Sequence, residues 1–151
     1  MTSRSVSAST QVQASPTTVF AILADPRQHQ RIDGSGSLRG SVSGPERLEL
    51  GSKFAMDMKM GASYQTKNTV VEFEEDRLIA WKHFAPHRWR YELEPVDGGT
   101  RVTETWDLAR VPLPIRLGLR LMKFPAKTQQ GIEGTLRNLA REAEADERAK
   151  A

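Results

Sequence analysis

Between Ile79 and Leu108 the side chains sort into two sets when the stretch is read as two consecutive hairpins. One face takes Trp81, His83, Trp89, Tyr91, Glu104 and Trp106; the other takes Arg88, Arg90, Glu92, Glu94, Arg101, Thr103, Thr105 and Asp107. Strand side chains alternate with period two and opposed residues share a face, so a single register accounts for both sets. That register pairs Trp81 with Trp89, Trp89 with Trp106, Tyr91 with Glu104 and Leu93 with Val102, and extends to Val70 with Trp81 and Asn68 with His83. A slip of one residue would turn the tryptophans to water. The inner face holds all three tryptophans of the chain beside a carboxylate and an imidazole. A face built for stability alone is aliphatic, so wide amphipathic rings among ionisable groups point to the lining of a cavity for a small molecule.

The rest of the chain supplies a frame for that sheet. Val6, Ala8, Thr10 and Val12 alternate with polar residues and predict an opening strand. Ser15 before Pro16 is an N-cap signal for a helix over Thr17 to Ala24, and Asp25 before Pro26 repeats it for a short helix reaching about Ile32 and ending at Gly34–Ser35–Gly36. About six strands follow from Leu38, with a three-residue turn predicted at Gly61 to Ser63. That turn would set Met60 opposite Tyr64, Met58 opposite Thr66, Met56 opposite Asn68, Phe54 opposite Val70 and Asp57 opposite Lys67. After Val111 a helical stretch is expected, interrupted at Pro125 because proline lacks the backbone donor. The second piece, about Ala126 to Arg148, places Ile132, Leu136, Leu139 and Ala143 on one stripe; at about 1.5 Å per residue it spans roughly 34 Å, enough to cross a sheet. Fraying is expected from Asp146 to Ala151.

The 151 residues suit one domain over 1–151, with an ordered core at about 4–146. No stretch approaches the roughly 20 apolar residues of a membrane span, and the residues up to Ala14 lack a hydrophobic secretion segment, so the expected compartment is the cytoplasm. With no cysteine, disulfides, thiol catalysis and sulfur-bound metal are excluded. The net charge of +3 is modest and no basic and aromatic module is present, which argues against nucleic acid as a partner. Gly34-Ser35-Gly36-Ser37-Leu38-Arg39 follows a helix and lacks the third glycine of a dinucleotide fingerprint.

Three segments carry a family resemblance: Ala14-Ser15-Pro16-Thr17-Thr18-Val19-Phe20 after the first strand, Ala24-Asp25-Pro26-Arg27-Gln28-His29 at the second helix, and Glu94-Pro95-Val96-Asp97-Gly98-Gly99-Thr100-Arg101-Val102-Thr103 at the last hairpin. Over about Val6 to Ala143 the chain resembles the START-like (SRPBCC) superfamily, in its bacterial polyketide cyclase/dehydrase and lipid-transport branch. The resemblance implies an α+β helix-grip fold: a curved antiparallel sheet of about seven strands, two short helices, and a long C-terminal helix closing a hydrophobic cavity. Members of this fold include aromatase/cyclases, coenzyme Q-binding proteins and lipid carriers, so fold alone does not choose the activity.

Within that frame, Met56, Met58, Asn68, Trp81, His83, Trp89 and Trp106 are the candidate ligand-binding residues, and Glu104 with Tyr91 the candidate catalytic pair. A carboxyl facing an apolar cavity has its pKa raised, so Glu104 is placed either as a general acid or base or as a hydrogen-bonded wall group. In an aldol-type cyclisation or a dehydration it would remove a proton next to a carbonyl, with the Tyr91 hydroxyl on the developing oxyanion. The tryptophan row fits a planar aromatic or polyketide-like ligand and equally a solid core; Met56, Met58 and Met60 fit a cavity wall or ordinary packing. His83, His87 and Asn68 read as a polar end of the cavity, His29 and Asp33 as solvated residues at a helix end. No cofactor and no metal is implied. Arg116, Arg120, Lys123 and Lys127 interleave with Ile115, Leu117, Leu119, Leu121, Met122 and Phe124. This basic amphipathic segment is read either as the roof of the cavity or as a transient membrane contact of a non-catalytic lipid or hydrophobic-ligand carrier.

Overall fold

The computed structural model describes residues 4–34, 38–60, 62–83 and 86–150, and of residues 38–42, 59 and 60 the backbone only. Seven strands form one sheet: β1 (Ser5–Val12), β2 (Leu38–Ser43), β3 (Lys53–Met60), β4 (Ala62–Glu74), β5 (Leu78–Lys82), β6 (Arg88–Val96) and β7 (Gly99–Asp107). Their spatial order is β1-β7-β6-β5-β4-β3-β2, an antiparallel meander from β2 to β7 with β1 added beside β7. Between β1 and β2 lie α1 (Pro16–Leu23), a 3-10 turn at Pro26–Gln28 and α2 (His29–Ile32); after β7 come α3 (Leu113–Leu121) and α4 (Phe124–Ala149).

Both proline-started segments form for the reasons their sequences suggest. The Ser15 hydroxyl accepts from the Thr18 amide at 3.3 Å, and the Asp25 carboxylate accepts from the Arg27 amide at 3.0 Å, so each side chain satisfies a backbone donor that the first turn leaves open. The two expected helical pieces form, with Pro125 in the first turn of α4, where a missing N–H costs nothing, rather than at the break itself. The break falls just before it, at Lys123, whose φ of 61° is left-handed.

Alternation in β4 changes phase once, and that irregularity matters. Thr66, Asn68 and Val70 are buried, but the register shifts between Val70 and Glu72, so Phe73 faces inward and Glu72 outward. Phe73 then meets Phe20 of α1 edge-on at 5.5 Å. On the outer side, Glu72 takes Arg88 at 2.8 Å and Arg90 at 2.9 Å, and Arg90 also reaches Asp107 at 2.8 Å.

The hairpin between β3 and β4 is tighter than the sequence suggested. Met58 pairs with Tyr64, Met56 with Thr66, Phe54 with Asn68, and Asp57 with Gln65 rather than Lys67. A shift of two residues leaves each side chain on its expected face, so hydrophobic patterning cannot distinguish the two registers; turn length decides between them. Met60 pairs with Ala62 across Gly61, which itself lies outside the described residues.

Helix α4 packs on β1 and β7 and is gripped by α1 and α2. Ile132, Leu136, Leu139 and Ala143 are buried as one stripe, each large aliphatic contributing roughly 1.5–3 kcal/mol by leaving water. The C-terminal turns are tied down where fraying was expected. Arg31 bonds Glu142 at 2.9 Å and Asp146 at 3.0 Å, Glu147 accepts from the Ser15 amide at 2.6 Å, and Lys150 Nζ donates to Thr18 Oγ1 at 2.7 Å.

At the other side of α2, backbone meets backbone. A Cβ on Gly34 would lie 2.1 Å from the Thr135 nitrogen, and the Gly34 amide donates to Thr135 Oγ1 at 2.9 Å. Asn138 Nδ2 donates to the Ile32 and Asp33 carbonyls, both at 3.3 Å. No rotamer relieves a clash with main chain, so Gly34→Ala is expected to lower unfolding stability by about 2–4 kcal/mol in urea titration. A loss below ~0.5 kcal/mol would show that this contact is loose in solution.

Candidate functional site

Ladder pairing builds the inner face in rows. One row runs Val6, Trp106, Trp89, Trp81, Val70; the next runs Ala8, Glu104, Tyr91, Ile79; a third runs Thr10, Val102, Leu93. Trp81, Tyr91, Glu104 and Trp106 are buried, and Trp89 is half-buried. Trp89 stacks on Trp106 with ring centres 5.7 Å apart and planes 20° apart, while Trp81 lies 5.5 Å from Tyr91. Phe54 packs edge-on against Trp81 at 5.5 Å, and Met56 and Met58 are half-buried beside it on β3.

The carboxyl of Glu104 is 3% exposed and burial pushes it up to about 8; the charge of Asp33 adds to the shift, and the hydrogen bond with Tyr91 opposes it. Burial and the neighbouring Glu104 hold the Tyr91 hydroxyl well above its ordinary range. Only one carboxyl oxygen is engaged: Glu104 Oε1 is buried without a protein partner, and so is Trp106 Nε1. At neutral pH Glu104 is therefore mainly a neutral acid in an aromatic setting, able to give a proton and, in its minority ionised form, to take one.

His29 does not behave as a solvated helix-end residue, whereas Asp33, at the C-cap of α2, stays partly exposed. His29 is buried, stacked on Trp81 at 4.9 Å with planes 19° apart, and edge-on to Phe54. Its Nε2 donates to the Leu23 carbonyl at 2.8 Å, which leaves Nδ1 as a lone pair, and burial lowers its pKa. The sequence did hold a signal for this: His29 and Ile32 are three apart and share the buried side of α2. Nothing local marks Asp33 as a neighbour of Glu104, since the two are joined only through the docking of α2 on α4.

The remaining expected residues are distributed as follows. Asn68 is buried and donates to Thr66 Oγ1 at 3.4 Å. His83 and His87 approach each other through their Nε2 atoms at 3.4 Å, with the His87 ring 5.6 Å from Trp106. Burial, together with the like charge of His83, lowers His87 to about 4. Among the described residues no three of His, Cys, Asp and Glu gather as a metal site would need. A separate concavity of about 550 Å³ lies on the outer face, lined by Glu72, Arg90, Glu92 and Arg101 among others. Several of these charges already pair with one another, so it is a solvated seam between ion pairs.

The raised carboxyl has a stability consequence. Between the ordinary value of 4.5 and about 8 the unfolded chain has lost the Glu104 proton and the folded chain keeps it, so this group favours folding less as pH rises through that window. Glu104→Gln removes the titration. Its stability relative to wild type is expected to improve by about 4 kcal/mol between pH 5 and pH 9 in paired denaturant titrations; a pH-independent difference would mean the carboxyl is not buried in solution.

Comparison with known proteins identifies the family. The profile described as "Polyketide cyclase / dehydrase and lipid transport" matches residues 3–144. The uncharacterized protein Rv0088 of Mycobacterium tuberculosis is 40% identical over 140 residues, covering 89% of this chain, and the chain spans 62% of that relative's length. Among solved structures, the KanY protein superposes with a TM-score of 0.73 at 15% identity over 95% of this chain and 99% of its own. An AHSA1-like protein from Aeromonas hydrophila gives 0.66 at 20% identity over 94% and 93%. With the profile spanning nearly every element from β1 to α4, the chain belongs to the polyketide cyclase/dehydrase and lipid-transport family of the START-like superfamily.

Proposed function

We propose that this protein binds a hydrophobic, aromatic or polyketide-like small molecule between the inner face of its sheet and α4, and that Glu104 performs acid–base chemistry on it. The observation carrying this reading is a buried carboxyl, half engaged by Tyr91 and pushed up to about 8, standing in a row beside three tryptophans. A dehydration illustrates the bookkeeping. The ionised carboxylate, about a tenth of the population at pH 7, takes the proton from the carbon between a ketone and a hydroxyl-bearing carbon. The carbon–oxygen bond then breaks, and the departing hydroxide leaves as water with the proton that Glu104 held. Met56, Met58, Trp81 and Trp89 supply apolar contact, while Asn68 and His83 orient polar parts of the ligand.

Native mass spectrometry of protein purified from its own host is expected to retain a small apolar molecule. If that molecule is turned over, Glu104→Gln should keep its affinity and lose roughly 10²–10⁴ in rate, the range a positioned acid or base contributes. Unchanged turnover would remove Glu104 from the chemistry.

A carrier role at membranes has its own support in α3. The expected roof is not what this helix provides: α3 buries no residue, and only Leu119 and neighbouring Phe124 pack partly on the core. Leu113, Ile115, Leu117, Leu121 and Met122 are 44% to 84% exposed, interleaved with Arg116, Arg120 and Lys123. An amphipathic helix with this make-up suits an anionic bilayer surface. Co-sedimentation with phosphatidylglycerol vesicles at low salt, weakened about tenfold or more by Leu121→Glu and by 0.5 M salt, is the expected result. Equal sedimentation with phosphatidylcholine vesicles at both salts would count against it.

A further inference from the structure

The pairing of β5 with β6 brings two histidines together at one end of the hairpin. Trp81 pairs with Trp89, and the same count continued by two residues sets His83 opposite His87. Opposed residues share a face, so both imidazoles come up on the side of the tryptophans. Their Nε2 atoms are 3.4 Å apart, with ring centres at 4.9 Å and planes at 63°. Both rings are half-buried, and burial lowers both below the usual imidazole value, so each is neutral at pH 7 and carries a lone pair. The neighbouring cations are turned away: Lys82 is exposed, and Arg88 pairs with Glu72 at 2.8 Å on the outer side.

The separation distinguishes two uses of such a pair. A nitrogen donor lies about 2.7–3.2 Å from a good acceptor, so 3.4 Å is long for a hydrogen bond between the rings. Two nitrogens that each lie about 2.05 Å from one ion at the tetrahedral angle are about 3.3–3.4 Å apart. Adjacent corners of a square-planar site would bring them to about 2.8–2.9 Å. The observed spacing is the tetrahedral one. Among the described residues no third His, Cys, Asp or Glu joins the pair, so an ion held here keeps two positions for water or for an oxygen of a bound molecule.

We propose that His83 and His87 form a two-histidine chelate for a tetrahedral divalent cation, zinc by its match to imidazole donors and to this spacing, at the end of the aromatic row. Binding uses both Nε2 lone pairs, so both rings take the tautomer with the proton on Nδ1. The His87 ring centre lies 5.6 Å from that of Trp106 and 6.4 Å from that of Trp89, which places the ion within quenching range of two indoles. The chelate stands on the two rings alone and does not depend on the inner face accepting an apolar molecule.

Zinc chloride titrated by calorimetry into the full chain at pH 7 is expected to bind at one ion per chain, and His83→Ala and His87→Ala should each weaken that binding about tenfold or more. Measurements on the wild-type chain keep the test independent of how the variants fold. Cobalt(II) should give the intense visible absorption of tetrahedral coordination and quench tryptophan fluorescence, and added zinc should reverse both. In nitrogen-15 spectra zinc should move the Nε2 resonances of His83 and His87 and leave that of His29, engaged with the Leu23 carbonyl, in place. Absence of zinc binding, equal affinity in wild type and the double variant, or the weak cobalt absorption of octahedral coordination overturns the inference and leaves the proposed ligand site untouched.

Discussion

The ladder between β6 and β7 sets Trp89 against Trp106 and Tyr91 against Glu104, and the positions of every inner group follow from it. A slip of one residue would carry those four side chains to solvent and bring Arg88, Arg90 and Asp107 inward. Both faces resist that slip. The inner rings lose burial, and the outer cluster of Arg88 and Arg90 on Glu72, with Arg90 on Asp107, loses its geometry. Register is thus specified twice, by apolar packing on one side and by charge pairing on the other, and the bulge in β4 delivers Glu72 to the charged side.

Helix α4 covers one end of this sheet. Its apolar stripe covers β1 and β7, and Gly34 against Thr135 brings the end of α2 close enough for Asp33 to act on Glu104 and Tyr91. The same docking seats the His29 ring on Trp81. A carboxyl in this setting is destabilising when ionised, and a fold optimised only for stability has an inexpensive alternative in glutamine or leucine at that position.

Much of this was legible in the chain. Period-two alternation identified the faces, and the pairings of Trp81 with Trp89, Trp89 with Trp106, Tyr91 with Glu104 and Val70 with Trp81 are those observed. Ser15–Pro16 and Asp25–Pro26 marked both helix starts because capping is local chemistry. Some readings needed revision. The hairpin between β3 and β4 differs by two residues because a two-residue shift preserves alternation. The C-terminal turns of α4 hold firm because Ser15, Thr18 and Arg31, far away in sequence, supply their partners. The apolar side of α3 stays exposed because a helix periodicity shows that a face exists and says nothing of what covers it.

By itself the sequence determined which residues share a face, where helices begin and which strand register keeps indoles dry, since each follows from spacings of a few residues or from matching two adjacent strands. Tertiary structure alone decided that the His29 ring stacks on Trp81, that Asp33 bears on Glu104, and that Glu104 Oε1 and Trp106 Nε1 are left unpartnered. Those outcomes depend on distances between elements remote along the chain, and electrostatic and hydrogen-bonding energies vary too steeply with distance for any one-dimensional pattern to carry them.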